Sequence, residues 1–207
     1  MMKIAVITNE VLKEELLSQV EAPELEIVWL AEPQKIEGAT HYLDLLFTNE
    51  KERIQLLSSF TSETILVNAV LTTCKDLPQN FGRINGWPSF LNRPVVEAAT
   101  LNNKYKPDIE KLFSLLGKSV EWTPDTIGFI AARVICMIIN EAYYTIQDDV
   151  TGKEEIDIAM KLGTRYPFGP FEWSRKIGLQ NVYALLSSLA MEHKRYEPAE
   201  ILKQETQ

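Results

Sequence analysis

The chain has 207 residues, 45% of them apolar and 24% charged, which excludes disordered and fibrous classes and is enough to bury a core without covalent staples. Acidic residues outnumber basic ones 29 to 21, and the net charge of −8 argues against nucleic acid or an anionic membrane surface as partner. Two cysteines, Cys74 and Cys136, are too few for a disulfide framework or a four-ligand zinc site, so no metal is expected. There are two histidines, His41 and His193. The first apolar run stops at Ile7 and charge returns at Glu10, too soon for a secretory signal. Val134–Asn140 is the most apolar later stretch, and Arg133 and Glu141 bound it far short of a membrane span. A soluble, cytoplasmic protein is the expectation.

In chain order, Lys3–Ile7 reads as a strand buried on both faces, and Val11–Val20 carries Val11, Leu12, Leu16, Leu17 and Val20 at helical spacing. Leu25–Leu30, Tyr42–Phe47 and Thr64–Val70 read as further strands, the last two separated by a helix over Glu50–Phe60. Strands alternating with helices predict crossover units and a mostly parallel sheet. Gly82–Asn85 and Pro94–Ala99 are additional strand candidates. Pro107 opens a helix that runs to Leu116, Gly117 is a left-handed stop, and Lys118–Trp122 is one more short strand.

From Ile127 the pattern becomes helical, with Ile130, Val134, Met137, Ile138 and Ala142 recurring at steps of three and four. Thr151 is positioned to cap a helix starting near Lys153, with Glu154 completing a capping box. A rigid turn at Pro167–Pro170 follows, and Asn181–His193 closes the pattern as a last helix. The predicted architecture is an α/β, Rossmann-like N-terminal domain over residues 1–123 and an all-α C-terminal domain over 124–207, divided at Thr123–Pro124–Asp125.

An ordered set of short motifs runs through the second half. It comprises Gly128-Phe129-Ile130 with Arg133, Asn140-Glu141-Ala142, Glu155-Ile156-Asp157 followed by Ala159–Gly163, Pro167–Glu172, and Ile177-Gly178-Leu179. Leu116-Gly117-Lys118 and Val95-Val96-Glu97 extend it upstream. In order and spacing this set resembles the C-terminal domain of the 3-hydroxyacyl-CoA dehydrogenase family. The resemblance implies a dinucleotide-binding domain followed by a helical domain that forms much of a dimer interface. The motif residues themselves read as structural: Gly128, Gly163 and Gly169 for turns or close helix approach, Pro167 and Pro170 for a rigid connection.

The first two-thirds departs from what the resemblance implies for activity. Between the first strand and its helix the family carries a glycine fingerprint that admits a pyrophosphate. Here the stretch is Thr8-Asn9-Glu10-Val11-Leu12-Lys13, with no glycine and with a carboxylate at Glu10. Glu32, at the end of the second strand, occupies the place of a ribose-binding acid and reads more simply as a solvent-facing strand end. The family's catalytic histidine stands twelve residues before its glutamate. Counting back from Glu97 reaches Asn85, and an amide cannot take a hydroxyl proton near neutral pH. The family's substrate-side asparagine, just before the arginine of the first C-terminal helix, is replaced by Ala132. The turn after the fourth strand reads Asn68–Thr73, with hydroxyls only at its end, and the segment Glu32–Thr40 is short where the family inserts a helical excursion that helps enclose acyl-CoA.

The family's catalytic positions are therefore Asn85, Glu97 and Ala132, with no cofactor-binding residues assigned. Glu97 can pair with Arg93 or another cation. Lys51/Arg53 and Lys104/Lys106 are the candidate cations for an acyl-CoA-like ligand. The expectation is a relative that has lost NAD binding and catalysis and acts as a ligand-binding or homodimer-forming protein. The alternative is an active NAD-dependent 3-hydroxyacyl-CoA dehydrogenase with an atypical site.

Overall fold

A computed structural model describes residues 2–20, 25–60 and 64–207. The chain divides into two compact units, Met1–Phe129 and Ile130–Gln207. The division falls beyond Thr123–Asp125 because that segment is tied into the first unit: Thr123 N donates to the Ala98 carbonyl, and Asp125 pairs with Arg83.

The first unit is built on seven strands. They are β1 (Met2–Ile7), β2 (Leu25–Leu30), β3 (His41–Asp44), β4 (Ile65–Asn68), β5 (Phe81–Ile84), β6 (Val95–Thr100) and β7 (Ser119–Trp122), in the spatial order β2-β1-β3-β4-β5-β6-β7. Neighbours run parallel except β5 and β6, which are antiparallel. Consecutive side chains of a strand point to opposite faces, and both faces here are apolar. Ile4 and Val6 of β1 enter one core cluster with Leu43, Leu66 and Ile84. Ala5 and Ile7 enter the other with Tyr42, Ile65, Val67 and Phe81. Helices α1 (Glu10–Leu17) and α3 (Lys106–Leu115) cover the first cluster through Leu12, Leu16, Ile109, Leu112 and Phe113. Helix α2 (Lys51–Ser58) covers the second through Leu57, with Ile54 partly buried against it.

The expected elements form with shifted ends. β3 is shorter than Tyr42–Phe47 because the Asp44 carboxylate accepts the Leu46 amide at 3.0 Å, turning the chain out of the sheet. α3 stops as expected at Gly117, whose φ is +67°; a Cβ there would lie 2.2 Å from the Gln19 carbonyl oxygen. This position excludes every side chain on two counts, conformation and space.

The second unit, described by itself, contains α4 (Ala131–Gln147), α5 (Lys153–Thr164), α6 (Pro170–Ile177), α7 (Leu179–Ala190) and α8 (Glu200–Glu205). The helical pattern expected from Ile127 begins at Ala131, because Gly128 and Phe129 adopt positive φ. Thr151 does not cap α5. Gly152 takes the N-cap position without a side-chain bond, so the expected capping box is absent. Gly163 is not a turn residue either; it lies inside α5, with nothing within 4 Å of an added Cβ, and the helix ends at Arg165 in the left-handed region. The Pro167–Pro170 turn leads into α6, a stretch to which the sequence pattern gave no helix, and α8 had no counterpart in that pattern.

The motifs of this unit act as locks. Asp157, nearly buried, accepts the Phe171 amide at 2.8 Å, and an added Cβ on Gly169 would come within 2.2 Å of its carboxylate oxygen. Glu172 accepts the Gly169 amide at 2.9 Å, capping α6 from within. Asn140 donates to the Glu197 carbonyl at 2.8 Å and accepts the Ala199 amide at 2.9 Å, fixing the segment that enters α8.

Candidate functional site

In an open parallel sheet, ligands approach the carboxyl ends of the strands near a reversal of strand order, which here lies between β1 and β3. β1 ends at Ile7, and Asn9 caps α1 by accepting the Leu12 amide on its side-chain oxygen at 3.0 Å. That amide is one of the donors a helix N-terminus would otherwise offer a phosphate. Glu10 adds a carboxylate in the first helical turn, which repels an anion at this place. The glycine-free stretch read from the sequence is thus a self-capped helix start.

At the end of β3, Asp44 is fully buried and receives a two-pronged guanidinium from Arg53: Nε to Oδ2 at 2.7 Å and Nη2 to Oδ1 at 2.8 Å. Burial pushes the Asp44 carboxyl up, and the hydrogen bonds and charge of Arg53 act against that. Arg53 reaches the exposed Glu32 only at 3.9 Å. Arg53 is therefore committed inside the fold, which removes it from the cations considered for a ligand phosphate. Lys104 and Lys106 follow β6, which β4 and β5 separate from β3, so the two cation pairs belong to different parts of the sheet.

At the end of β4, Asn68 donates to the Leu45 carbonyl at 3.1 Å and accepts the Gly86 amide at 2.9 Å, tying three strand ends together. One residue away lies the pair singled out by spacing. The Asn85 backbone amide donates to the Glu97 carbonyl at 3.0 Å, extending the β5–β6 ladder past Ile84. The Asn85 side-chain amide donates to Glu97 Oε2 at 2.8 Å. Sequence counting and structure agree that these two positions face each other. Both side chains are buried, and among the described residues Asn85 Oδ1 has no hydrogen-bond partner. Trp87, Phe90 and Leu91 are also buried, so the following loop turns its large apolar side chains inward.

That loop is held by Glu15, which belongs to none of the sequence motifs, and by Lys118 of the Leu116-Gly117-Lys118 motif, to which the sequence assigned no contact. Glu15, on α1, accepts the Ser89 amide on both oxygens at 2.8 Å, where Ser89 adopts a positive φ of 76°. Lys118, 3% exposed, donates to the Leu91 carbonyl at 2.5 Å and the Arg93 carbonyl at 3.2 Å, and burial pulls its ammonium down to about 8. Arg93 lies over the Phe90 ring at 4.9 Å; burial lowers its guanidinium and the Glu97 charge acts in the opposite sense. Glu97 therefore has Asn85 as its hydrogen-bonded neighbour and Arg93 as a nearby cation.

Arg83, fully buried in β5, is the largest departure from the sequence reading. Nε binds Asp125 at 2.8 Å, Nη1 donates to the Ala69 and Thr72 carbonyls at 3.0 and 2.9 Å, Nη2 donates to the Thr126 carbonyl at 2.5 Å, and the Phe129 ring stacks on it at 4.2 Å. Asp125 also accepts the Cys74 amide. A lone arginine inside the apolar run Phe81–Ile84 was the available signal. The Cys74 thiol, pushed up to about 12 by burial, is not a nucleophile near neutral pH.

His41 opens β3, at the end of the sheet opposite the strands' carboxyl ends, and bonds Thr40 Oγ1 at 2.8 Å. In the second unit, Ala132 is fully buried in the first turn of α4 and offers only a methyl group, and His193 precedes a short 3-10 turn. Among the described residues, no group of three or more His, Cys, Asp or Glu could hold a metal, and no helix is long and apolar enough to cross a membrane.

Residues 128–207 match the family described as "3-hydroxyacyl-CoA dehydrogenase, C-terminal domain". A 3-hydroxyadipyl-CoA dehydrogenase of Escherichia coli (strain K12) is 39% identical over 90 residues, covering 42% of this chain and 19% of that protein. A 3-hydroxybutyryl-CoA dehydrogenase of Bradyrhizobium diazoefficiens is 31% identical over 156 residues, covering 71% of this chain and 51% of its own length. The match thus spans about half or less of these curated relatives. The crystal structure of an (S)-3-hydroxybutyryl-CoA dehydrogenase from Ralstonia eutropha superposes with a TM-score of 0.75 at 17% identity, covering 98% of this chain and 92% of that one. At that identity the likeness is one of fold.

Proposed function

Because the chain belongs to the 3-hydroxyacyl-CoA dehydrogenase family, whose C-terminal domain it carries at residues 128–207, we propose that it has given up hydride transfer and serves as a ligand-binding, dimer-forming relative. One observation carries this reading: Asn85 faces Glu97 at 2.8 Å in the dyad positions. An imidazole there would take the hydroxyl proton while a carboxylate stabilised the resulting cation. A carboxamide has no basic nitrogen, so Asn85 can donate and accept hydrogen bonds but cannot take that proton as an imidazole would. The residues around the α1 N-terminus do not fit a dinucleotide either: Asn9 occupies the Leu12 amide and Glu10 opposes an anion. An acyl-CoA-like ligand is the molecule we assign to the retained fold, with Lys104 and Lys106, the candidate pair that keeps both of its cations, to meet its phosphates.

The test is NADH titration followed by tryptophan emission, then NADH loss with acetoacetyl-CoA, for the natural chain and for Asn85→His. We expect no saturable NADH binding and no turnover by either protein, because restoring the base leaves the capped helix start in place. A CoA thioester is expected to raise the melting temperature by mass action. Saturable NADH binding with turnover in the natural chain would sink the proposal and leave an active dehydrogenase with an atypical site.

The dimer is assigned to the helical unit. Val134 of α4 is 51% exposed, and Ile158 and Leu162 of α5 are 54% and 79% exposed, large apolar side chains at i, i+4 spacing on α5. Light scattering at micromolar concentration should report a dimer, and Val134→Lys with Leu162→Lys should convert it to a monomer. A natural chain that is monomeric under those conditions overturns this assignment.

A further inference from the structure

Strand β2 is the outer edge of the sheet: β1 pairs with it on one side, and among the described residues no strand pairs with it on the other. In the common doubly wound order another strand lies beyond this one. The Leu30 carbonyl accepts the Thr8 amide, so it points inward, and backbone direction alternates along a strand. The N–H and C=O groups of Leu25, Ile27 and Trp29 therefore point away from the sheet, and among the described residues no hydrogen bond reaches them. We propose that this edge is a seam for a second copy of the chain, whose own β2 adds antiparallel to it and joins two seven-stranded sheets into one.

The strand's sequence, Leu-Glu-Ile-Val-Trp-Leu, selects a copy of itself. A two-fold axis normal to the sheet sets residues of one parity opposite each other, which brings outward backbone groups face to face. With the axis at Ile27, Leu25 opposes Trp29. With the axis at Val28, Ile27 opposes Trp29, an aromatic–β-branched pair of the favourable kind. Both registers set Glu26 against an apolar residue; only an axis at Glu26 itself would oppose two carboxylates. Glu26 is moreover paired with Lys3 at 3.1 Å, so the seam is locally neutral within a chain of net charge −8. Long-range repulsion between copies is screened by salt, so association should strengthen as ionic strength rises. A single edge of six residues is a small, transient interface. The β2 seam lies outside the helical unit assigned to the dimer, and using Val134→Lys with Leu162→Lys as background keeps the two separate.

The experiment is amide hydrogen exchange across dilution, from about 1 mM to about 10 μM, a span suited to a weak interface. The outward amides of Ile27 and Trp29 are expected to slow at the high concentration and to exchange fast on dilution. The inward amide of Val28 should be protected throughout. Ile27→Pro, which removes only an outward N–H, is expected to abolish the concentration-dependent mass increase in light scattering. If that variant is unfolded by circular dichroism, exchange in the parent background decides alone. Fast exchange at every concentration, or protection unchanged on dilution, overturns the proposal. Protection that arises only when an extended apolar peptide is added would show that the edge takes a foreign strand, and would overturn self-pairing.

Discussion

Replacing Arg83 with methionine is expected to destabilise the first unit by about 3–5 kcal/mol, the range for breaking a buried ion pair from one side. Methionine has similar length, so the loss is chemical rather than a large cavity. The substitution strands the Asp125 carboxylate and leaves the Ala69, Thr72 and Thr126 carbonyls without their donor. An unmet buried carbonyl alone costs on the order of 1–3 kcal/mol. Asp125→Asn added to this variant should return part of the loss, because it removes the unpaired charge while keeping an acceptor for the Cys74 amide. Urea unfolding monitored by tryptophan emission measures both. A single-variant cost under about 1 kcal/mol would mean that water replaces the guanidinium and that Arg83 is not an anchor.

Arg53→Met should have a comparable effect with a distinct pH signature. At neutral pH it leaves a fully buried Asp44 carboxylate without its two-pronged partner, at a cost of about 3–5 kcal/mol. Burial already raises the Asp44 carboxyl above its usual 3.8 with Arg53 in place, and removing Arg53 takes away the opposing interactions. The folded state then binds a proton that the unfolded chain does not in the window above 3.8, so stability falls as pH rises through it. The deficit relative to the natural chain should be widest near neutrality and shrink as the solution is acidified. Denaturation across pH tests this, and a deficit independent of pH would show that Asp44 does not titrate in that window. Asp44→Asn in the same background should remove the pH dependence.

Much of the first unit was legible before folding. The continuous β-rich run Lys3–Ile7 located β1, since a strand buried on both faces has few other readings, and Leu25–Leu30 located its neighbour β2. Gly117 was legible as a helix stop for a local reason, its left-handed conformation. Its close approach to the Gln19 carbonyl was not, because that is a contact across the chain. Strand ends at β3 and the start of α4 shifted through local chemistry: an Asp44 turn and two positive-φ residues at Gly128 and Phe129. The expected Thr151 cap failed because Gly152 took the position, and periodicity does not resolve one-residue choices at a terminus.

The residues Asn85 and Glu97, the glycine-free turn at Thr8–Lys13 and the apolar face of Ala132 were determined by the sequence alone, since they depend on residue type and spacing. Whether those positions meet, and what surrounds them, was decided by tertiary structure. The antiparallel β5–β6 register places Asn85 against Glu97, and the fold buries Trp87, Phe90 and Leu91 of the neighbouring loop. The roles of Arg53, Arg83 and Lys118 were decided there as well. In the sequence each is a cation that solvent could claim. In the fold Arg53 meets the buried Asp44 carboxylate, while Arg83 and Lys118 meet acceptors from distant segments, and a buried charge persists only where such acceptors converge.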